Sequence, residues 1–314
     1  MGRGRPRPCE TSPVKTRFMP VASAPPPVVA SRQERYPSER RRLGEGEEAL
    51  RASISWATAT ALLATAAVAT AQTKIPGDPY ADDPSGIVED PCPAHPKPAD
   101  KAAGTMANLH MLTRDHGQLC RYAAANRALA EKPRVVFMGD SITDNWINLA
   151  PGFWRDGRVD RGISGQTTSQ MLLRFRQDVI DLRPRAVHIM AGTNDVAGNT
   201  GATTIETVEG NIQSMAELAR ANGIKVILAS VPPAAAFPWS PDKRPAPQIA
   251  ALNAWLKAYA RRTGATWVDY HPVLATPAGA MRGGLASDGV HPTAAGYAAM
   301  APVALDSIRR ALGR

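Results

Sequence analysis

At 314 residues, 44% hydrophobic and 21% charged, the chain is long enough for one soluble domain plus flanking segments. Its formal net charge of +9 is uneven: residues 1–71 hold net +5 and the rest net +4. The body is thus only mildly basic. Having no Lys/Arg clusters interleaved with aromatics, it excludes a nucleic-acid footprint.

Residues 1–50 are Arg/Pro-rich, with Pro25-Pro26-Pro27 and Arg40-Arg41-Arg42, and carry too little apolar periodicity to bury a core. They read as a disordered leader. Residues 51–71 change texture: Arg51, then an uncharged apolar run from Trp56 to Val68, then Ala69-Thr70-Ala71. A basic residue, a short apolar stretch and an Ala-x-Ala ending describe a cleavable secretory signal, too short to be a membrane span. A buried Ala-rich helix is the blander reading. Because such signals lie at the start of a chain, we expect translation to begin near Leu50 or Arg51; a long charged n-region or a true N-terminal extension are the alternatives. Cleavage near Ala71 leaves a periplasmic or secreted protein with no stable membrane anchor.

Residues 72–105, rich in Pro and Asp, read as an extended lead-in. With Cys9 in the leader, Cys92 and Cys120 form an even pair, and export favours a disulfide worth about 3–4 kcal/mol in the chain-entropy model. Two free thiols are the alternative.

The 106–314 segment reads as the folded domain. A helical pattern covers 108–130, and strands and helices then alternate. Strands fall at 134–138, 159–163, 186–190, 225–231 and 266–268. Helical stripes run through Met171, Phe175, Val179 and Leu182, through Ile205 to Ala219, through Ile249 to Tyr259, and from a Thr293 cap through Tyr297 to Ile308. Strands separated by helices need crossover connections, so the pattern predicts an α/β fold: a three-layer α/β/α sandwich on a five-stranded parallel sheet. Functional residues of such sheets collect beyond the strands' carboxyl ends.

Four blocks fall on those loops or just before the last helix: Gly139-Asp140-Ser141-Ile142, Gly162-Ile163-Ser164-Gly165-Gln166-Thr167-Thr168, Gly192-Thr193-Asn194-Asp195 and Asp288-Gly289-Val290-His291-Pro292. Ser141 supplies a nucleophile, His291 a base, and Asp288, three residues before it, a carboxylate able to fix the imidazole tautomer. The Ser141 and Gly165 amides and the Asn194 side chain supply donors for a developing oxyanion. Each block alone has a bland reading: a capping serine, a plain turn, an asparagine that ties its own loop, a surface histidine. Their joint order favours acyl chemistry. Trp154, Phe237 and Trp239 lie on sheet-edge loops and are candidate pocket walls, with core cover as the equal alternative.

The other histidines show no metal-ligand spacing, and His188 reads as a satisfied core residue. Asp140, Asp144 and Asp195 invite a metal phosphodiesterase reading, but no second cluster supports it. Asp140 and Asp195 suit loop fastening better. We expect no metal and no cofactor.

The ordered blocks resemble the SGNH, or GDSL-type, hydrolase family of esterases and lipases from about Pro133 onward. The resemblance implies a flavodoxin-like sandwich and two-step acyl-serine hydrolysis. It maps the nucleophile on Ser141, the oxyanion glycine on Gly165, the asparagine on Asn194, the base on His291 and the acid on Asp288. Gly139 through Trp146 and Gly162 through Thr168 are similar to platelet-activating-factor acetylhydrolase-type catalytic subunits, which favours short acyl groups. Ile142 replaces the name motif's leucine, and Arg161 stands where a smaller polar residue is expected. The implied substrate is a small acyl ester or an acetylated glycan. The alternatives are an O-acyltransferase acting on glycans, a lysophospholipase or lipase, and a non-catalytic glycan-binding module. The last is disfavoured by the complete Ser-His-Asp set. The sequence leaves the oligomeric state open.

Overall fold

Five short apolar runs pair side by side: β1 (Val135–Gly139), β2 (Arg158–Gly162), β3 (Ala186–Met190), β4 (Lys225–Ala229) and β5 (Thr266–Val268). The order is β2-β1-β3-β4-β5, every pairing parallel. The computed structural model describes residues 86–89, 91–92 and 100–313. The expected leader, the signal segment, its cleavage point near Ala71 and most of the 72–105 lead-in lie outside the described residues.

β1 and β3 are buried along their whole length, as central strands covered on both faces must be. One face carries α5 (Thr168–Phe175), α7 (Ile205–Ala221) and α8 (Pro245–Thr263), which follow β2, β3 and β4 in turn. The other carries α4 (Trp146–Leu149) and the C-terminal α10 (Ala294–Leu312), which follows the short α9 (His271–Leu274). This is the expected three-layer sandwich. Its strand order places the direction change between β1 and β3, so the loops after those strands part there and leave a crevice. The short helices α3 (Ser141–Asp144) and α6 (Thr193–Ala197) open directly from them.

Gly139 ends β1 because nothing larger fits. A Cβ there would stand 2.0 Å from Thr143 Oγ1 and 3.0 Å from the Met190 carbonyl. The close approach lets α3 turn back across the strand and present Ser141 at the sheet edge.

Three expectations on secondary structure are corrected. The 108–130 pattern is two helices, α1 (Lys101–Thr113) and α2 (Ala123–Arg127). Asp115 accepts the Leu119 amide at 2.9 Å, and Gln118 takes a left-handed φ of 52°, which ends a helix. The stripe through Met171, Phe175 and Val179 holds, but the helix widens into a π turn at Arg176–Ile180. β4 ends at Ala229: the Val231 amide donates to the Asn253 side chain at 2.7 Å instead of joining the ladder. The final helix α10 (Ala294–Leu312) starts as expected, capped by Thr293, which accepts the Gly296 amide.

Cys92 and Cys120 lie with Cα atoms 5.3 Å apart, the separation of a bonded pair. Among the described residues no helix is long and apolar enough to cross a membrane.

Candidate active site

Ser141 is the first residue of α3, and the Asp140 carboxylate before it caps the helix by accepting the Ile142 amide at 2.9 Å. Ser141 Oγ lies 2.9 Å from His291 Nε2. On the other side of the ring, Nδ1 lies 2.7 Å from Asp288 Oδ2. The second Asp288 oxygen accepts the amides of Val290 (3.0 Å) and His291 (2.8 Å), so the loop is wound around its own carboxylate. Burial alone raises the Asp288 carboxyl, but the hydrogen bonds from His291 and Val290 outweigh it and hold it below the usual carboxylate range. α10 is tied to the helix of Ser141 by Tyr297, whose hydroxyl donates to the Ile142 carbonyl at 2.8 Å. The loop carrying Asp288 and His291 runs directly into α10.

Donors converge on the same region. Among the described residues, the backbone amides of Ser141 and Gly165 have no hydrogen-bond partner. Gly165 takes a φ of +81°, which side-chain-bearing residues rarely adopt. Asn194, almost fully buried at the start of α6, donates one Nδ2 proton to the Gln166 carbonyl at 3.0 Å and keeps the other unspent. Its Oδ1 accepts from Asn199 Nδ2 at 2.9 Å, which sets the amide with its donor side outward.

Acidic residues around the site serve the loops. Asp195 accepts the Thr168 amide (3.0 Å) and hydroxyl (2.6 Å). Asp144 accepts the Ser164 amide (3.1 Å) and hydroxyl (2.7 Å). Burial pushes Asp140 up to about 6 and Asp160 up to about 7, each against the pull of a backbone hydrogen bond. Among the described residues no group of three or more His, Cys, Asp or Glu is arranged to hold a metal.

The pocket candidates divide. Trp154 is not brought to this group, which corrects its assignment as a pocket wall: its ring contacts are with Phe137, Trp146 and Phe153, and it packs against the core. Phe237 is fully buried and does not face solvent; it is the support on which Trp239 stacks, 5.1 Å between ring centres. Trp239 is 42% exposed with its ring 5.6 Å from that of His291. His188 is deep in the core, stacked on Phe137 and paired with the Tyr270 hydroxyl at 2.9 Å, and burial pushes it down to about 3. Its Nδ1 has no partner among the described residues, so it is only half satisfied.

Arg161, the departure from the expected small residue, is buried with its guanidinium over the Tyr122 ring and donates to Asn126 at 2.7 Å. Sequence reasoning passed over Arg174, fully buried on α5. It donates to Gln166 Oε1 (2.6 Å), the Arg161 carbonyl (2.9 Å), the Gly139 carbonyl (3.1 Å) and Asp178 (3.0 Å). Thus one guanidinium holds the end of β1 and the Gly165 loop together. The signal was available: Arg174 and Asp178 stand four apart on the same apolar stripe as Phe175 and Val179, where an unpaired charge has no place.

Comparison with known proteins agrees with this layout. The model of the GDSL-like lipase/acylhydrolase family matches residues 137–299. A crystal structure from Bacteroides thetaiotaomicron described as a GDSL-like lipase is 49% identical, covering 62% of this chain and 99% of its own, with a TM-score of 0.60. One from Bacteroides fragilis described as an acylhydrolase is 48% identical, covering 62% and 98%, with a TM-score of 0.60. The Bacillus subtilis (strain 168) protein named uncharacterized lipoprotein YqeF is 37% identical over 118 residues, 32% of this chain. The chain spans about half (48%) of that relative's length. A Streptococcus pneumonia structure named for platelet activating factor, 21% identical with a TM-score of 0.55 and covering 67% of this chain and all of its own, shares the fold. With the family model matching more than half of the chain and two structures of nearly half-identical sequence on the same fold, this chain belongs to the GDSL-like lipase/acylhydrolase family and is a carboxylic ester hydrolase.

Proposed function

We propose that the protein is an exported serine esterase that removes short acyl groups, acetyl above all, through an acyl-serine intermediate. Ser141 Oγ attacks the ester carbonyl while His291 Nε2 takes its proton. Asp288 holds the Nδ1 proton and stabilises the imidazolium that forms. The oxyanion is met by the Ser141 and Gly165 amides and the free Nδ2 proton of Asn194. His291 then protonates the departing alcohol, and a water activated by the same ring releases the acid and restores Ser141. The observation that best supports this reading is the continuous line from Ser141 Oγ through His291 to Asp288, with links of 2.9 and 2.7 Å.

The acyl preference rests on the walls. Trp239 stands close to His291 and stacks on the buried Phe237, and the next residue, Ser240, ties the loop down by donating its hydroxyl to the Ala197 carbonyl at 3.0 Å. A loop braced in this way is not the mobile apolar cover that a lipase needs to shelter a long acyl chain. In a series of esters from acetyl to hexadecanoyl, kcat/KM should peak between acetyl and butyryl, with activity retained in chelator. A peak at decanoyl or longer would move the reading to a lysophospholipase or lipase. Running the panel with and without acceptor sugars separates hydrolysis from transfer to a glycan hydroxyl.

Export is supported by the Cys92–Cys120 pair and by a relative named as a lipoprotein. In this reading 1–50 is a leader, 51–71 a signal and 106–314 the catalytic domain. N-terminal sequencing of protein from the native host should give a start at or near Gln72. Residues 1–50 intact in the exported protein would overturn the signal assignment.

A further inference from the structure

Beside the proposed triad stands Asn199, just past the end of α6, with every polar atom of its side chain engaged. Its two Nδ2 protons go to Asn194 Oδ1 (2.9 Å) and the Gly165 carbonyl (3.2 Å). Its Oδ1 accepts from Trp239 Nε1 at 3.0 Å. The backbone fixes where it stands: Gly198 turns left-handed (φ 77°), and the Asn199 amide donates back to the Asn194 carbonyl at 3.0 Å. One side chain therefore touches two of the three segments that carry oxyanion donors, and the exposed aromatic wall near His291.

We propose that Asn199 is a positioning residue that sets the oxyanion donors and couples them to Trp239, making the indole face the subsite for a ring-bearing alcohol. This rests on the reading of Ser141 as nucleophile. The physical case has two parts. An asparagine amide can turn over and exchange its donor for its acceptor. The Asn199 donor on Asn194 Oδ1 and the Gln166 acceptor on Asn194 Nδ2 together exclude the turned form, which would aim a carbonyl at the developing oxyanion. The bond to the Gly165 carbonyl likewise holds the peptide that follows the Gly165 donor. On the other side, Trp239 is braced by Phe237 below and Asn199 at its nitrogen, and the residue stays 42% exposed beside His291. A ring seated on the indole face presses on a residue that holds the donors. Asn199 itself touches no reacting atom.

The test uses the full chain, with phenyl acetate and an acetylated sugar as substrates and phenylboronic acid as a tetrahedral probe of the oxyanion site. Asn199→Asp keeps the acceptor for Trp239, loses both donors and sets a carboxylate against two oxygens. It should lower kcat ~10–100-fold with KM little changed, because the loss falls on transition-state donors and not on uniform binding. Asn199→Ala should do the same without the added charge. Trp239→Phe keeps a smaller aromatic face and removes the indole N–H. It should lower kcat less in the wild-type background and not at all in the Asn199→Ala background, the non-additivity of a shared contact. Inhibition by phenylboronic acid should weaken in step with kcat/KM. Wild-type kcat in both Asn199 variants, or full additivity of Trp239→Phe with Asn199→Ala, would overturn the proposal. So would a loss that tracks a lowered melting midpoint while phenylboronic acid still binds as in wild type. Ser141→Ala separates this from the underlying reading: if that variant stays active, the reading fails, whereas an inactive Ser141→Ala beside unaffected Asn199 variants sinks the coupling alone.

Discussion

Ser141→Ala and His291→Ala should each lower kcat by about 10⁴-fold or more and leave the melting midpoint nearly unchanged, since in the proposed triad nucleophile and base act as one unit. Ser141 Oγ makes its hydrogen bond to His291 at the partly open end of the crevice, so removing it leaves no buried charge unpaired. Asp288→Asn should cost less, because attack and proton transfer keep their atoms. It still weakens the site, for an amide nitrogen facing Nδ1 gives a donor where the ring needs an acceptor. The pH profile has a definite sign. Asp288 is held below the ordinary carboxylate range, so it stays ionised as pH falls. Activity should fall on acidification and rise with pH, since attack by Ser141 needs a base able to accept its proton. Residual kcat above about a tenth of wild type in Ser141→Ala would rule out the triad, since that is far less than loss of a nucleophile costs.

Arg174→Met should be the most destabilising single change behind the site. The guanidinium and the Asp178 carboxylate are both fully buried, 3.0 Å apart. Removing one partner of such a pair leaves a buried charge and costs about 3–5 kcal/mol, a loss of roughly 10 °C in melting midpoint for a domain of this size. Asp178 retains only the Asn126 side-chain donor, at 2.7 Å, among its described side-chain partners. The double variant Arg174→Met with Asp178→Leu tells what the arginine is for. If the ion pair is the whole of its role, apolar replacement of both members restores stability. Arg174 also serves the Gly139 and Arg161 carbonyls and Gln166 Oε1, so the double variant should stay destabilised by about 2 kcal/mol or more. Chemical denaturation of the single and double variants gives the comparison, and full recovery in the double variant would confine the role to the pair.

The periodic segments were legible from sequence because burial writes them directly. A strand covered on both faces must be apolar throughout, as β1 and β3 are, and a helix on one face carries its stripe at three- and four-residue spacing, as α7 and α10 do. The strand count, the parallel pairing and the placing of Ser141, Gly165 and Asn194 beyond strand ends follow from that alternation. The Asp288–His291 spacing is local, so its hydrogen bond was within reach of sequence reasoning as well. Three other matters were decided only in three dimensions. Trp154, Phe237 and Trp239 are equivalent as letters on sheet-edge loops, yet packing puts the first on core aromatics, buries the second and exposes the third beside His291. Arg174 gathers acceptors 13 and 35 residues away along the chain. Asn199 joins Gly165 and Trp239, 34 and 40 residues distant, through hydrogen bonds that exist only once the loops have closed. Periodicity reports which face of an element is dry, whereas a polar side chain's partners depend on which loops the tertiary fold brings within 3 Å of it, and no local pattern in this chain encodes that.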